Sequence, residues 1–314
     1  MKINKAITGI DKSGSFRVYM AITTAMADEA RMIHHTSPLA THLLGRALTG
    51  TGLMGLMLRE PGYKVTLQFK GDGPAEQVLC TAGSDGAVKG YIVNPGVDLP
   101  PKSDGSPDVG GALGIGTLTC IRDTGMKEPY VGKIDFVTGE IADDLTAYFF
   151  ISEQQQTSVS LGVKLDEQGE VLATGGMIIQ MLPDATEEAI SALEKWLPDM
   201  PKISELAEKV TKDAAGRSIE SIMQEYIKTA FLGLPDEFEV MPLDMLDIGW
   251  KCDCSEERLE QVIVSLGAKE ISDIIATDGH AQIVCQFCEK TYDFDKERLE
   301  RLKAECLKQR IRMV

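Results

Sequence analysis

The sequence is short of positive charge. Its 314 residues carry 32 Lys and Arg against 48 Asp and Glu, so the formal net charge is -16 and the sequence pI is near 4.8. A field of this sign repels phosphate backbones and anionic lipid headgroups. We therefore expect no nucleic-acid partner and no membrane partner.

An apolar leader with a small-residue cleavage site is also missing from the N-terminal residues, which predicts a cytoplasmic protein. One run, residues 38–58, is mostly apolar over about the length that a bilayer requires. It contains His42, Arg46 and four glycines, and an arginine is costly in hydrocarbon. Ser37 and Pro38 form a helix start signal, so we interpret the run as a helix buried in a soluble core.

Motifs of enzyme chemistry are absent. Residues 125–133 have the wrong spacing for a phosphate loop, and residues 114–116 lack the third glycine of a dinucleotide fingerprint. His34, His35 and His42 have no nucleophile at a supporting spacing. The sequence predicts no ATP site and a protein that is not an enzyme.

The patterns that are present predict an α+β fold in three parts. Residues 1–182 form a mixed α/β core domain, in which hairpin-like spacing favours a largely antiparallel sheet. Strict alternation predicts a strand at 64–70, and the turn signal at 83–86 predicts a hairpin between 78–82 and 87–93. Further strands are predicted at 116–121, 131–137, 158–163 and 172–181, with helices at 37–58 and 141–154.

Strand patterns stop after Leu182, and residues 183–249 are predicted to form a linker of amphipathic helices. Asp184 and Glu187 fit an acidic variant of the capping box at its start. The last of its helices carries one apolar stripe, formed by Ile219, Ile222, Met223, Tyr226 and Ile227. A stripe of this kind must pack against another surface, either the first domain or a partner.

Residues 250–314 are predicted to form a small C-terminal domain with a zinc site. Four of the seven cysteines fall within residues 252–288, as Cys252-Asp-Cys254 and Cys285-Gln-Phe-Cys288, and this clustering in a cytosolic chain indicates metal or redox chemistry. Two cysteine pairs supply the four ligands of one tetrahedral, structural Zn2+ with no open coordination position. Zinc-bound thiolates can also be oxidised with release of the metal, so a redox switch stays open. Cys80, Cys120 and Cys306 match no part of this motif, and packed or incidental thiols are the simpler interpretation.

Further motifs make the chain similar to one known family. They are Leu43-Leu-Gly-Arg-Ala-Leu-Thr49, Gly71-Asp-Gly-Pro74, Val88-Lys-Gly-Tyr-Ile-Val-Asn-Pro95, Gly139-Glu-Ile-Ala-Asp-Asp-Leu145 with Tyr148-Phe149, Ser152-Glu-Gln154, Gly175-Gly176 with Gln180-Met-Leu-Pro183, and the two cysteine pairs. With them the sequence closely resembles the redox-regulated chaperones of the heat shock protein 33, or 33 kDa chaperonin, family.

The resemblance implies an ATP-independent holdase that is inactive while reduced and zinc-bound. It implies that oxidation forms the disulfides Cys252–Cys254 and Cys285–Cys288, releases zinc and loosens the C-terminal domain and linker. Apolar surface then becomes available to unfolding proteins, often with dimerisation, and the linker stripe is the candidate client-binding surface.

Two alternatives come from other classes of protein. A zinc-ribbon nucleic-acid module is disfavoured by the acidic charge, and salt-dependent binding to DNA or RNA would revive it. A thiol-disulfide oxidoreductase would show turnover in insulin reduction.

Overall fold

The structure, a computed structural model, describes residues 2–212, 214 and 216–312, and of residues 308–312 only the backbone. The chain separates into two compact units, Met1–Lys251 and Cys252–Val314. In chain order the elements of the first unit are β1 (Asn4–Asp11), β2 (Phe16–Thr23), α1 (Thr24–His34), α2 (Pro38–Leu56), β3 (Lys64–Gly71), β4 (Gln77–Gly83), β5 (Ala87–Ile92), α3 (Val109–Leu113), β6 (Gly116–Asp123), β7 (Tyr130–Asp135), α4 (Ile141–Ile151), β8 (Thr157–Leu165), β9 (Val171–Met181), α5 (Glu187–Trp196), α6 (Ile203–Lys212), α7 (Ile219–Ala230), β10 (Val240–Leu246) and β11 (Gly249–Trp250).

Two sheets organise the first unit. One has five strands in the order β10-β1-β2-β9-β8, and the other has six in the order β11-β5-β4-β3-β6-β7. Neighbouring strands are antiparallel except for β11 and β5, which run parallel. The predicted α+β class with a largely antiparallel sheet is confirmed.

The helix α2 forms the centre of the larger core. It begins as predicted, with the Ser37 side chain accepting a hydrogen bond from the Ala40 amide and with proline at the first position. Most of its side chains are buried, and it packs against strands of both sheets. No helix among the described residues is long and apolar enough to cross a membrane.

The opposite face of the five-stranded sheet is covered by helices α5, α6 and α7. Alternate residues of β2 divide between the two cores: Phe16, Val18 and Met20 face these helices, whereas Tyr19 and Ala21 face α2. Both faces of this strand are therefore covered by protein.

Two local features differ from the sequence predictions. The capping box at Asp184 is wrong: α5 begins at Glu187 with Thr186 as its cap, whose side chain accepts from the Ala189 amide. Strands do not end at Leu182, because β10 pairs with β1 and β11 pairs with β5. Pro242 lies within β10, which is tolerated because β10 is an edge strand.

The second unit consists of α8 (Glu256–Leu266), α9 (Ala268–Thr277), the hairpin β12 (Ala281–Val284) and β13 (Thr291–Phe294), and α10 (Lys296–Arg312). Ser255 caps α8 by accepting from the Arg258 amide, and Gly267 follows its last residue. The buried core is small; its members are Ile263, Val264, Ile271, Cys285, Tyr292, Phe294, Leu299 and Leu302.

Candidate metal centre

The four clustered cysteines converge in the second unit. The sulfur atoms of Cys252, Cys254, Cys285 and Cys288 all lie within 4.8 Å of one another. The distance from Cys252 Sγ to Cys285 Sγ is 3.7 Å, and that from Cys254 Sγ to Cys288 Sγ is 3.4 Å. With a bond length of about 2.3 Å to zinc, a tetrahedral thiolate site has sulfur–sulfur edges of about 3.8 Å. The cluster therefore fits a tetrahedral metal ion held by four thiolates.

The second pair is positioned by a tight turn at the end of the β12–β13 hairpin. The Glu289 amide donates to the Cys285 carbonyl at 2.8 Å, and the Cys285 amide donates to the Lys290 carbonyl at 3.0 Å. Glu289 adopts φ +57°, a left-handed conformation that turns the chain without a glycine. These bonds hold both sulfurs of the pair on one side of the turn.

The first pair is positioned by the start of α8. Arg258 forms an ion pair with the Asp253 carboxylate and donates from Nη1 to the Asp253 carbonyl at 3.1 Å. Asp253 stands between Cys252 and Cys254 in the sequence, so the arginine holds the short loop that carries both thiols. The capped start of α8 thus positions Cys252 and Cys254.

Tyr292 is a contact of the site that the sequence analysis did not identify. Its hydroxyl lies 3.1 Å from Cys254 Sγ and 3.3 Å from the Cys254 carbonyl oxygen. Burial opposes ionisation of Cys254, but hydrogen bonds from Tyr292 and the neighbouring thiols outweigh it and lower the pKa of Cys254 to about 7. Burial raises the pKa of Cys252 and of Cys288. One thiolate therefore forms readily in the cluster even without a metal charge.

The apolar stripe of α7 lies against the five-stranded sheet. Ile222, Met223, Tyr226 and Ile227 are completely buried, whereas Ile219, at the first turn, is 43% exposed. The four buried members belong to the core between α5–α7 and the sheet. The structure brings these four together and leaves Ile219 at the edge.

The remaining cysteines lie away from the cluster. Cys80 and Cys120 are fully buried in the larger core, on β4 and β6, and both are opposite Leu67 of the intervening strand. Burial raises the pKa of both thiols, which suppresses the reactive thiolate. Cys306 is partly buried on α10.

These differences predict which thiols react in the folded protein. A chelator that strips the metal should make four thiols newly reactive towards a thiol reagent, while Cys80 and Cys120 stay unmodified until the first unit is denatured. Mass spectrometry of labelled peptides measures this site by site, and a Cys306→Ser variant removes the one other accessible thiol. Labelling of Cys80 or Cys120 at the rate of the cluster would contradict the assignment.

Comparison with known proteins extends over nearly the whole chain. The family model described as Hsp33 protein matches residues 4–295. The 33 kDa chaperonin of Alkaliphilus oremlandii is 41% identical over 305 residues, which is 97% of each chain, and that of Clostridium acetobutylicum is 40% identical over 94% of this chain and 96% of its own. A crystal structure of the 33 kDa chaperonin of Thermotoga maritima matches with a TM-score of 0.81 and 31% identity, covering 97% of this chain and 99% of that one. This agreement in family model, sequence and fold shows that the chain belongs to the Hsp33 family of chaperones.

Proposed function

We propose that this chain is a redox-regulated holdase that needs no ATP and is not an enzyme. In the reduced, zinc-bound form it is inactive, and oxidation of the zinc cysteines activates it to bind unfolding or oxidatively damaged proteins in the cytoplasm. The observation that carries the proposal is the convergence of four thiols in a small unit of a chain from a chaperone family.

Zinc is the metal that this donor set favours. Four thiolates at the corners of a tetrahedron form a closed structural zinc site. When bound, zinc stabilises all four thiolates and holds the two cysteine segments together. The chain contributes the hairpin turn at Cys285 and Cys288, the Arg258 clamp on the first pair and the Tyr292 contact to Cys254. We expect one zinc ion per chain.

Oxidation converts the four thiolates into two disulfides. Each disulfide forms with the loss of two electrons, and a peroxide that accepts them is reduced to water or an alcohol. The family resemblance favours Cys252–Cys254 and Cys285–Cys288 as the pairs. In the reduced cluster, close sulfur–sulfur contacts also join Cys252 to Cys285 at 3.7 Å and Cys254 to Cys288 at 3.4 Å. Mass spectrometry of the oxidised protein digested without reduction distinguishes the two pairings.

We propose that oxidation exposes the face of the five-stranded sheet that α7 covers, and that clients bind there. The helix sits close to the sheet at two glycines: a Cβ at Gly175 would lie 2.5 Å from Tyr226 Oη, and one at Gly9 would lie 2.8 Å from Ile227 Cδ1. The Tyr226 hydroxyl also donates to the Ala21 carbonyl at 3.4 Å. In the reduced protein the four buried members of the stripe therefore pack closely against the sheet and are not available to a client.

The chain itself connects this helix to the first zinc ligand. After α7 it pairs as β10 with β1 and as β11 with β5, and the Lys251 amide donates to the Val88 carbonyl at 2.8 Å, one residue before Cys252. We propose that loss of the fold of the second unit frees this segment and then α7. The uncovered stripe and sheet face would bind clients and support a homodimer in the oxidised form.

The direct test is a cycle of oxidation and reduction. We expect the reduced, zinc-bound protein to leave aggregation of a chemically denatured client unchanged, the peroxide-treated protein to suppress it without ATP, and the re-reduced, zinc-reloaded protein to lose the activity. Equal suppression by all three forms would contradict redox control. Suppression by none of them would contradict the holdase function itself.

A further inference from the structure

A polar cavity in the first unit has more cationic than anionic side chains among its described lining residues. Its volume is about 240 Å³, and it lies where β2 and β9 meet the end of α2 and the turn after α4. The described residues that line it include three arginines, Arg17, Arg59 and Arg122, and one carboxylate, Glu153. We propose that this cavity is a binding site for a phosphate-class oxyanion.

Glu153, the one carboxylate among the described lining residues, already has hydrogen-bond partners. Arg122 Nη1 donates to Glu153 Oε2 at 2.9 Å, and the Tyr148 hydroxyl donates to Glu153 Oε1 at 2.5 Å. The turn that carries Glu153 is held by Gln154 at φ +53°, an unusual conformation for a residue that is not glycine. Glu153 therefore compensates Arg122 and leaves the charges of Arg17 and Arg59 for a ligand.

The Nε atom of Arg17 is the strongest indication that the cavity binds an anion. Arg17 lies on the face of β2 that carries Tyr19 and Ala21 towards the α2 core, and Gln180 is opposite it on β9. Its Nε is buried and has no hydrogen-bond partner among the described residues. A buried donor without a partner is unfavourable, and more so if it is charged. An anion in the cavity would accept from this group.

The geometry of guanidinium groups selects the ligand class. A guanidinium presents parallel N–H donors that match the oxygens of a phosphate, and such charge-assisted pairs are stronger than neutral hydrogen bonds. Arg59, at the exposed mouth of the cavity, has no ion pair among the described residues and adds a second such group. The cysteine cluster belongs to the other unit, and none of its residues is needed for this site, so this proposal does not depend on the redox function.

The test uses the full-length, reduced, zinc-loaded protein labelled with 15N, in a buffer free of phosphate. The side-chain Nε–H resonance of Arg17, assigned by its loss in Arg17→Gln, is followed during titration with inorganic phosphate, with glycerol phosphate and with chloride at matched ionic strength. We expect a saturable shift with a phosphate compound and none with chloride. Tighter binding of inorganic phosphate identifies a free ion as the ligand, and tighter binding of glycerol phosphate identifies a phosphate ester.

Two variants and one control test whether Arg17 and Arg59 bind the ligand. Arg17→Gln, whose affinity is measured by titration calorimetry because it lacks the reporter resonance, should weaken binding about 10- to 100-fold, as expected for loss of a hydrogen bond to a charged group. Arg59→Gln, at an exposed position, should weaken it about threefold or more, and Lys127→Gln, an exposed charge in another loop of the same unit, should have no effect. The proposal is overturned if neither phosphate compound shifts Arg17 Nε–H more than chloride does, or if Arg59→Gln and Lys127→Gln have equal effects.

Discussion

Replacing Cys285 and Cys288 together by serine should abolish zinc binding and unfold the second unit while the first unit stays folded. The amide resonances of residues 252–295 should collapse to the narrow dispersion of an unfolded chain. Those of the two sheets of the first unit should keep their positions, because the units have separate cores.

The size of the metal contribution explains this expectation. Structural zinc in finger peptides contributes about 10 to 16 kcal/mol at neutral pH, whereas whole domains are stable by about 5 to 15 kcal/mol. Among the described residues of the second unit, eight buried apolar or cysteine residues form the core, and Cys285 is one of them. Disulfides within each pair would close loops of three or four residues and contribute only about 2 kcal/mol each in the chain-entropy model. They cannot replace the metal.

Cys306→Ser is the matched control, because it makes the same chemical change in the same unit outside the cluster. It should retain one zinc ion and the native spectrum. A dispersed spectrum for residues 252–295 in the metal-free double variant would show that the fold of this unit does not depend on zinc.

Met223→Asp should produce a chaperone that is active without an oxidant. Met223 is completely buried between α7 and the sheet, and an unpaired carboxylate there is expected to destabilise the docking of α7 by on the order of 4 kcal/mol. The reduced variant should still hold zinc, because the substitution is in the other unit. Faster hydrogen exchange across residues 218–228 together with suppression of client aggregation in the reduced state is the expected result.

Ile219→Asp is the control for this experiment. It introduces the same charge in the same helix, but Ile219 is 43% exposed and its carboxylate would remain in water. It should resemble the parent protein in both measurements. If α7 of Met223→Asp exchanges freely and the reduced variant still does not suppress aggregation, the face beneath α7 is not the client-binding surface.

The sequence predicted those features that depend on local patterns. The cap and proline at the start of α2, the turn between β4 and β5 and the spacing of the cysteine pairs are all local signals, and the structure contains each of these elements. The strands β1 and β2 were not predicted. In β2 both faces are buried, so the strand has no alternation of polar and apolar residues.

Other features depend on residues that are distant in the sequence. β10 is recognisable only through its pairing with β1, since proline and several exposed side chains obscure its pattern. The contact of Tyr292 with Cys254 and the meeting of Arg17, Arg59 and Arg122 at one cavity likewise require the tertiary fold. The division of residues 1–249 into a core domain, 1–182, and a linker, 183–249, stays a prediction; in this structure α5–α7, β10 and β11 all pack within the first unit.

The coupling between the cysteine cluster and client binding is tested most directly by following both in one sample. Peroxide is added to the reduced, zinc-loaded protein in the presence of an unfolding client, while a chromogenic chelator reports zinc release and light scattering reports aggregation. We predict that one zinc ion is released per chain. Suppression of aggregation should rise with zinc release, and reduction with added zinc should reverse it. Full release of zinc without suppression, or full suppression with zinc retained, would contradict it.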